Sequence, residues 1–193
     1  MNNHVTEIVF LLDRSGSMCG LERDTIGGFN AFVQKQEELE GETKVTTVLF
    51  DDQYEILWDG VNAKDIKLTR EEYFVRGTTA LLDAVGKTIL SVGNRLAMTK
   101  EEARPGKVIF VITTDGMENA SSEFTYAKVK ELIHHQKQKY NWEFIFMGAN
   151  IDVAKEADSL GIDVENAYNF EASEKGVEVM YNIVCEAVME KRV

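Results

Sequence analysis

Two stretches of this sequence are too apolar to lie with one face in water, and each runs into an aspartate. The run 5–12 closes on five consecutive apolar residues, Ile8 to Leu12, before Asp13. The run 107–114 is nearly all apolar before Asp115. Short runs of this kind, without polar alternation, read as strands of a parallel sheet covered on both faces. Helical patterns lie between and after them: 21–39, with Ile26, Phe29 and Val33 on one stripe, and 80–98, with Leu81, Val85, Ile89, Val92 and Leu96. Strands alternating with helices predict a doubly wound α/β sheet.

The remaining segments fill in that plan. Strands are expected at 43–50 and 54–58, joined through Asp51-Asp52-Gln53; so short a connection makes an antiparallel hairpin and puts the second strand at a sheet edge. Asp51 and Asp52 read as turn formers. The stretch 61–74 reads as a polar connection with a short helix near 69–73. A helix capped by Ser121 or Ser122 runs to about Lys139, with Val129, Leu132 and Ile133 inward. A strand at 142–147, a helix at 152–160, a strand at 165–170 and a helix at 173–190 complete the chain. Gly27-Gly28 inside the first helix costs about 1 kcal/mol per glycine relative to alanine, which predicts close packing of that helix on the sheet. Gly86 and Gly93 predict a similar close approach on a second face of the 80–98 helix.

Composition narrows the function classes. The 193 residues suit one domain with a full-sized core, and 33 acidic against 21 basic residues give a formal charge of −12. A chain this acidic is poorly suited to a nucleic-acid backbone or an anionic membrane surface. Cys19 and Cys185 fit no metal or redox spacing and read as free thiols of a reducing compartment. No stretch reads as a signal peptide or a membrane span. The expected setting is cytoplasmic.

The chemistry gathers after the first strand, in Asp13-Arg14-Ser15-Gly16-Ser17. One carboxylate and two hydroxyls alternate there, and Gly16 lets the backbone turn so that the oxygens converge. An all-oxygen set selects a hard divalent cation over zinc or copper. The pattern Asp13-x-Ser15-x-Ser17 resembles the metal-ion-dependent adhesion site of von Willebrand factor A domains. Arg76-Gly77-Thr78-Thr79-Ala80-Leu81 resembles that family's threonine loop, and Val108–Thr114 with Asp115-Gly116 resembles its fourth strand and second aspartate. Three motifs in order are a far more specific signal than the first alone. The resemblance runs from about Thr6 to the last helix, so 1–193 reads as one domain of the stand-alone bacterial type.

That resemblance implies a six-stranded, mostly parallel sheet of order 3-2-1-4-5-6 with strand 3 antiparallel. Its switch point then lies between the strands that end in Asp13 and Asp115. It implies a site for Mg²⁺ or Mn²⁺ in which Ser15, Ser17 and a threonine are direct ligands. Thr79 is preferred to Thr78 because its spacing places Val85 on the buried stripe. Asp13 and Asp115 act largely through water. The function implied is a binding module whose cation recruits an Asp or Glu of a partner protein, without catalysis. Arg76 is expected to help receive that acid, within a surface formed by 18–20, 76–78, 116–118 and 148–150.

The alternatives are a metal-dependent hydrolase or phosphatase and an accessory subunit of an AAA+ ATPase system. Haloacid-dehalogenase-like phosphatases need a second acid where this chain has Ser15. Ser17 is not in a Gly-x-Ser-x-Gly elbow, and no glycine-rich loop ends in Lys-Ser or Lys-Thr. His4, His134 and His135 read as solvated residues.

Overall fold

The computed structural model describes residues 1–193. Its six strands are β1 (Asn2–Asp13), β2 (Glu42–Phe50), β3 (Tyr54–Asn62), β4 (Pro105–Thr114), β5 (Glu143–Gly148) and β6 (Ala167–Asn169). Its five α-helices are α1 (Glu22–Glu37), α2 (Leu81–Met98), α3 (Tyr126–Tyr140), α4 (Val153–Leu160) and α5 (Glu174–Arg192). The strands form one sheet of order β3-β2-β1-β4-β5-β6. Every pairing is parallel except β2 with β3, where Phe50 faces Tyr54 across the short turn.

The register fixes where the chemistry falls. Leu12 pairs with Thr113, so Asp13 stands beside Thr114 and Asp115 follows one residue further on, at the carboxyl ends of β1 and β4. The connection leaving β1 runs through α1 to β2 on one side, whereas the one leaving β4 runs through α3 to β5 on the other. The first cleft between diverging connections therefore opens over these two aspartates.

Strand alternation sorts the core into two layers. Ile8, Phe10 and Leu12 face α1 and α5, while Val9 and Leu11 face α2, α3 and α4. Phe10 meets Phe29 and Phe32 edge-on at centroid distances of 5.4 and 5.5 Å. On the other face Phe110 lies against Trp142 and Phe144, at 5.3 and 4.9 Å. Each such fully buried ring contributes about 1.5–3 kcal/mol in area removed from water.

Several local expectations need correction. Strand β3 continues to Asn62, and a 3-10 turn at Ala63–Asp65 follows it. At 69–73 there is a turn in place of a helix: Tyr73 N donates to Thr69 O at 3.0 Å, and the Glu72 carboxylate takes up Thr69 N at 2.8 Å. Helix α3 starts at Tyr126 and is capped by Thr125. Ser121 and Ser122 are occupied elsewhere, bonded to the first turn of α2. Strand β6 is only three residues long.

The glycine pair in α1 packs differently from the expectation. A β carbon on Gly28 would lie 2.2 Å from Tyr181 Cδ2, whereas one on Gly27 would meet nothing within 4 Å. The close approach is therefore to α5, and Gly28 alone requires it. Gly86 behaves similarly against Phe124 at 2.3 Å, but Gly93 does not: a β carbon there would have only ordinary contacts, at 3.7 Å or more.

The first strand also hides a charge. Glu7 is fully buried on the α2 face and is gripped by the Arg95 guanidinium, while Thr46 Oγ1 donates to its carboxylate at 2.7 Å. Arg95 Nε reaches Asp59 Oδ1 at 2.7 Å. The buried carboxylate is thus paired and hydrogen-bonded, as its desolvation requires.

Gly27→Ala is expected to stabilise the protein by up to about 1 kcal/mol, because it removes helix-interior glycine entropy in open space. Gly28→Ala is expected to destabilise it by about 1–3 kcal/mol through overpacking on Tyr181. Urea denaturation of the two variants checks this; the opposite ordering would place the tight contact elsewhere.

Candidate metal centre

Three loops converge over the ends of β1 and β4, and backbone bonds tie each to the next. Arg14 N donates to Phe50 O at 2.8 Å, Arg76 N to Arg14 O at 2.9 Å, and Gly16 N to Gly77 O at 3.1 Å. Asn119 N donates to Thr79 O at 3.0 Å, and the Asn119 side chain accepts from Thr79 N at 2.9 Å. Tyr73 OH donates to Asp13 O at 2.7 Å. The loop carrying Asp13, Ser15 and Ser17 is thereby clamped to the loop carrying Thr79, and that loop to the one after Asp115.

Inside this frame the polar side chains meet. Asp13 Oδ1 accepts from Ser15 N at 2.7 Å, which sets the turn that brings the hydroxyls inward. Its other oxygen accepts from Thr114 Oγ1 at 2.7 Å. Ser15 Oγ and Ser17 Oγ share a hydrogen bond of 3.1 Å, and Ser17 Oγ donates to Asp115 Oδ1 at 2.5 Å. A β carbon on Gly116 would lie 3.6 Å from Ser17 Oγ and 3.7 Å from Thr79 Oγ1, so both hydroxyls border one small volume beside a residue without a side chain. The sequence-derived residues Asp13, Ser15, Ser17, Thr79 and Asp115 thus stand together, and Thr79 is buried while Thr78 is exposed.

Two carboxylates in so dry a place resist ionising together. Burial raises the Asp13 pKa against the hydrogen bonds from Ser15 and Thr114 that lower it. Asp115 is raised to about 6, first by burial and then by the neighbouring charge of Asp13, with the Ser17 hydroxyl acting in the opposite direction. Asp115 Oδ2 is buried with no hydrogen-bond partner. An unpartnered carboxylate oxygen beside two hydroxyls is what a hard cation would satisfy. No group of three or more His, Cys, Asp or Glu side chains stands ready to hold a metal anywhere in the chain. The donors here are two carboxylates and three hydroxyls, a set suited to Mg²⁺ or Mn²⁺ on chemistry alone.

The surroundings revise several sequence expectations. Arg76 is not free to receive an acid: its Nε donates to Asp51 Oδ2 at 2.6 Å and its NH2 to Gln53 Oε1 at 2.8 Å. Asp51 does form the hairpin turn, accepting from Gln53 N at 2.6 Å, but it is also the buried counter-ion of Arg76 and lies 3.7 Å from Arg14. Gly77 is obligatory, with φ +67° and a β-carbon position 2.0 Å from Asp52 Oδ1. Glu118 turns inward to the first turn of α2, where Leu82 N donates to it at 2.9 Å. Met117 remains 72% exposed at the rim.

Sequence reasoning missed Arg14, Tyr73, Thr114 and Asn119. Arg14 is fully buried, with NH1 donating to Glu55 Oε2 at 2.9 Å. Arg14, Tyr73 and Asn119 lie outside the strands and helices, and Thr114 is the polar end of β4. Only the tertiary meeting of loops gives them their partners.

No protein-family model matches the sequence, and no curated protein matches it. Solved structures do. Proximal thread matrix protein 1 from the mussel byssus, with zinc in its MIDAS motif, is 15% identical with a TM-score of 0.60, over 95% of this chain and 45% of that one. Manganese-loaded TRAP protein of Plasmodium vivax is 16% identical with a TM-score of 0.62, over 93% of this chain and 73% of that one. The vWF domain of the type V pili tip protein Mfa5 from Porphyromonas gingivalis is 11% identical with a TM-score of 0.64, over 95% and 94%. This chain spans a little under half the length of the mussel proteins. The shared architecture is the von Willebrand factor A fold.

The raised aspartates carry a sign that can be checked. Without a divalent cation, folded Asp115 keeps a proton that the unfolded chain releases, so its contribution to stability is full below about pH 4 and is lost as pH rises through about 6. In chelator, wild type should therefore lose stability relative to Asp115→Asn across that window. Parallel melting curves of the two proteins that do not diverge would show that Asp115 ionises freely.

Proposed function

We propose that the chain is a metal-dependent protein-binding module that holds Mg²⁺ or Mn²⁺ and recruits an acidic side chain of a partner protein. Ser15, Ser17 and Thr79 would hold the ion directly, with Asp13 and Asp115 in support. When bound, the ion would supply a positive centre with an exchangeable position for a carboxylate oxygen. The observation that carries this reading is the buried, unpartnered Oδ2 of Asp115, on a carboxylate whose other oxygen takes the Ser17 hydroxyl. The zinc and manganese held by two proteins of the same fold support it.

The chain's own residues have separable tasks in this reading. Asp13 orients Ser15 through its backbone, and Thr114 holds the far oxygen of Asp13. Tyr73 fixes the carbonyl of the same residue. Asn119 pins the backbone of Thr79 on both sides of its peptide. A binding role is favoured over a hydrolytic one because Ser15 and Ser17 bond each other and Asp115, with no histidine hydrogen-bonded to either. We further propose a reducing compartment, in keeping with the unpaired Cys19 and Cys185.

Titration calorimetry with Mn²⁺ or Mg²⁺ should show one site, abolished in Asp13→Ala. At a hundredfold excess over the dissociation constant the ion should stabilise the fold by about 2.7 kcal/mol. Protein partners retained in Mg²⁺ should be released by EDTA and absent on folded Ser15→Ala/Ser17→Ala. Equal ion affinity in Asp13→Ala, or a partner held equally well in EDTA, would overturn the assignment. So would metal-dependent turnover of a phosphoester.

A further inference from the structure

The three hydroxyls of the metal centre are placed by different means. Ser15 Oγ and Ser17 Oγ are joined to each other and, through Ser17, to Asp115. Thr79 is held through its backbone only, so its hydroxyl stands wherever that backbone puts it. Asn119 ties the backbone to the loop after Asp115. Its place relative to the serine loop is set from the other side, by the turn between β2 and β3.

Asp51, in that turn, reaches both loops. Its carbonyl oxygen accepts from Ala80 N, next to Thr79, at 2.8 Å. Its buried carboxylate accepts from Arg76 Nε at 2.6 Å and lies 3.7 Å from Arg14 Nε. Arg14 belongs to the serine loop and Arg76 to the threonine loop, and their guanidinium groups flank the same Phe74 ring. Two cations drawn together in this way repel, and Asp51 is the carboxylate they share; Arg14 alone has a second, in Glu55. The backbone repeats the tie, with Arg76 N donating to Arg14 O and Gly16 N to Gly77 O. Gly77 lies against the turn itself, its β-carbon position 3.5 Å from Asp51 Cβ. A turn former needs none of these contacts. Removing the charge of Asp51 would leave buried cations under-compensated at the seam between the two loops.

We propose that Asp51 is a positioning residue of the metal centre: by holding Arg14 and Arg76 together and Ala80 N in place, it keeps Thr79 Oγ1 within reach of the ion that Ser15 and Ser17 hold. This rests on the reading of those three hydroxyls as ligands. Groups that orient metal ligands are worth about 10–100-fold in metal affinity.

The probe is Mn²⁺, titrated into wild type and into variants whose melting in chelator shows them folded. Asp51→Asn keeps the shape of the side chain and an oxygen for Gln53 N, and should weaken Mn²⁺ binding about 10–100-fold. Combined with Thr79→Ala it should cost little more than Thr79→Ala alone, because it acts through Thr79; additive losses would contradict that. Water-proton relaxation of the bound ion should reveal an additional water in Asp51→Asn, as in Thr79→Ala. Arg76→Met, at a side chain 39% exposed, separates position from charge. Losing a cation near the site should tighten Mn²⁺ binding if Asp51 acts only through its field, whereas a loosened threonine loop weakens it. Arg76→Met that binds Mn²⁺ as tightly as wild type, or more tightly, would overturn the proposal even if Asp51→Asn does not fold. Wild type that binds no Mn²⁺ would sink the metal-site reading and this proposal together. Wild type and Asp51→Asn that bind alike, with equal hydration of the ion, would remove the role of Asp51 alone.

Discussion

Two parallel strands set side by side place two aspartates in one dry pocket, and much of the surrounding structure answers that placement. Buried like charges repel and are poorly solvated, so each oxygen needs a hydrogen bond, a proton or a cation. Three of the four oxygens are served by the chain itself, through Ser15 N, Thr114 Oγ1 and Ser17 Oγ. The fourth, Asp115 Oδ2, is not. A protein that needed the aspartates only for its fold could have replaced the second with asparagine and avoided the repulsion.

The answer extends outward through the loops. Thr79 can stand near Ser17 only because the backbone before α2 is fixed, and that backbone is stitched to the segment after Asp115. Glu118 and Ser121 serve the first amides of α2, while Asp83 returns the favour to Ser122, Glu123 and Phe124. Leu82 N and Asp83 N are donors that a helix start leaves unsatisfied. On the other side, Asp51 ties Arg14 and Arg76 to the hairpin turn, and both guanidinium groups flank the ring of Phe74 at 5.5 and 5.3 Å. The hydroxyls are thus held by groups that are themselves held, so their relative positions are fixed by the loops around them.

What could be read from the sequence follows the same division. The central strands and long helices were legible because burial enforces a period: Leu81, Val85, Ile89, Val92 and Leu96 are all buried. Asp13, Ser15, Ser17, Thr79 and Asp115 were legible as ordered motifs, and the fold brings them together. The loops were not. Ser121 looks like a helix cap by local chemistry, but a neighbouring helix competes for it and wins. Arg76 looks free until Asp51, which local chemistry makes a turn former, is found buried beneath it.

On the proposed reading, charge also limits the partner. The chain carries −12 overall, so a uniformly acidic partner meets repulsion before its carboxylate reaches the site. Long-range fields are screened beyond about 8 Å at physiological salt, whereas a contact at the centre is screened far less. The favoured partner is therefore one that offers a single exposed acid from a neutral or basic surface. Met117, exposed at the rim, gives such a partner apolar area to cover beside the acid. Association with a partner of this kind should slow as salt is raised, because the steering between its basic surface and the acidic chain is lost. Stopped-flow mixing over a range of salt concentrations reads that slope directly; association that speeds up with salt would mean that the partner is itself acidic and that short-range contacts alone bring it in.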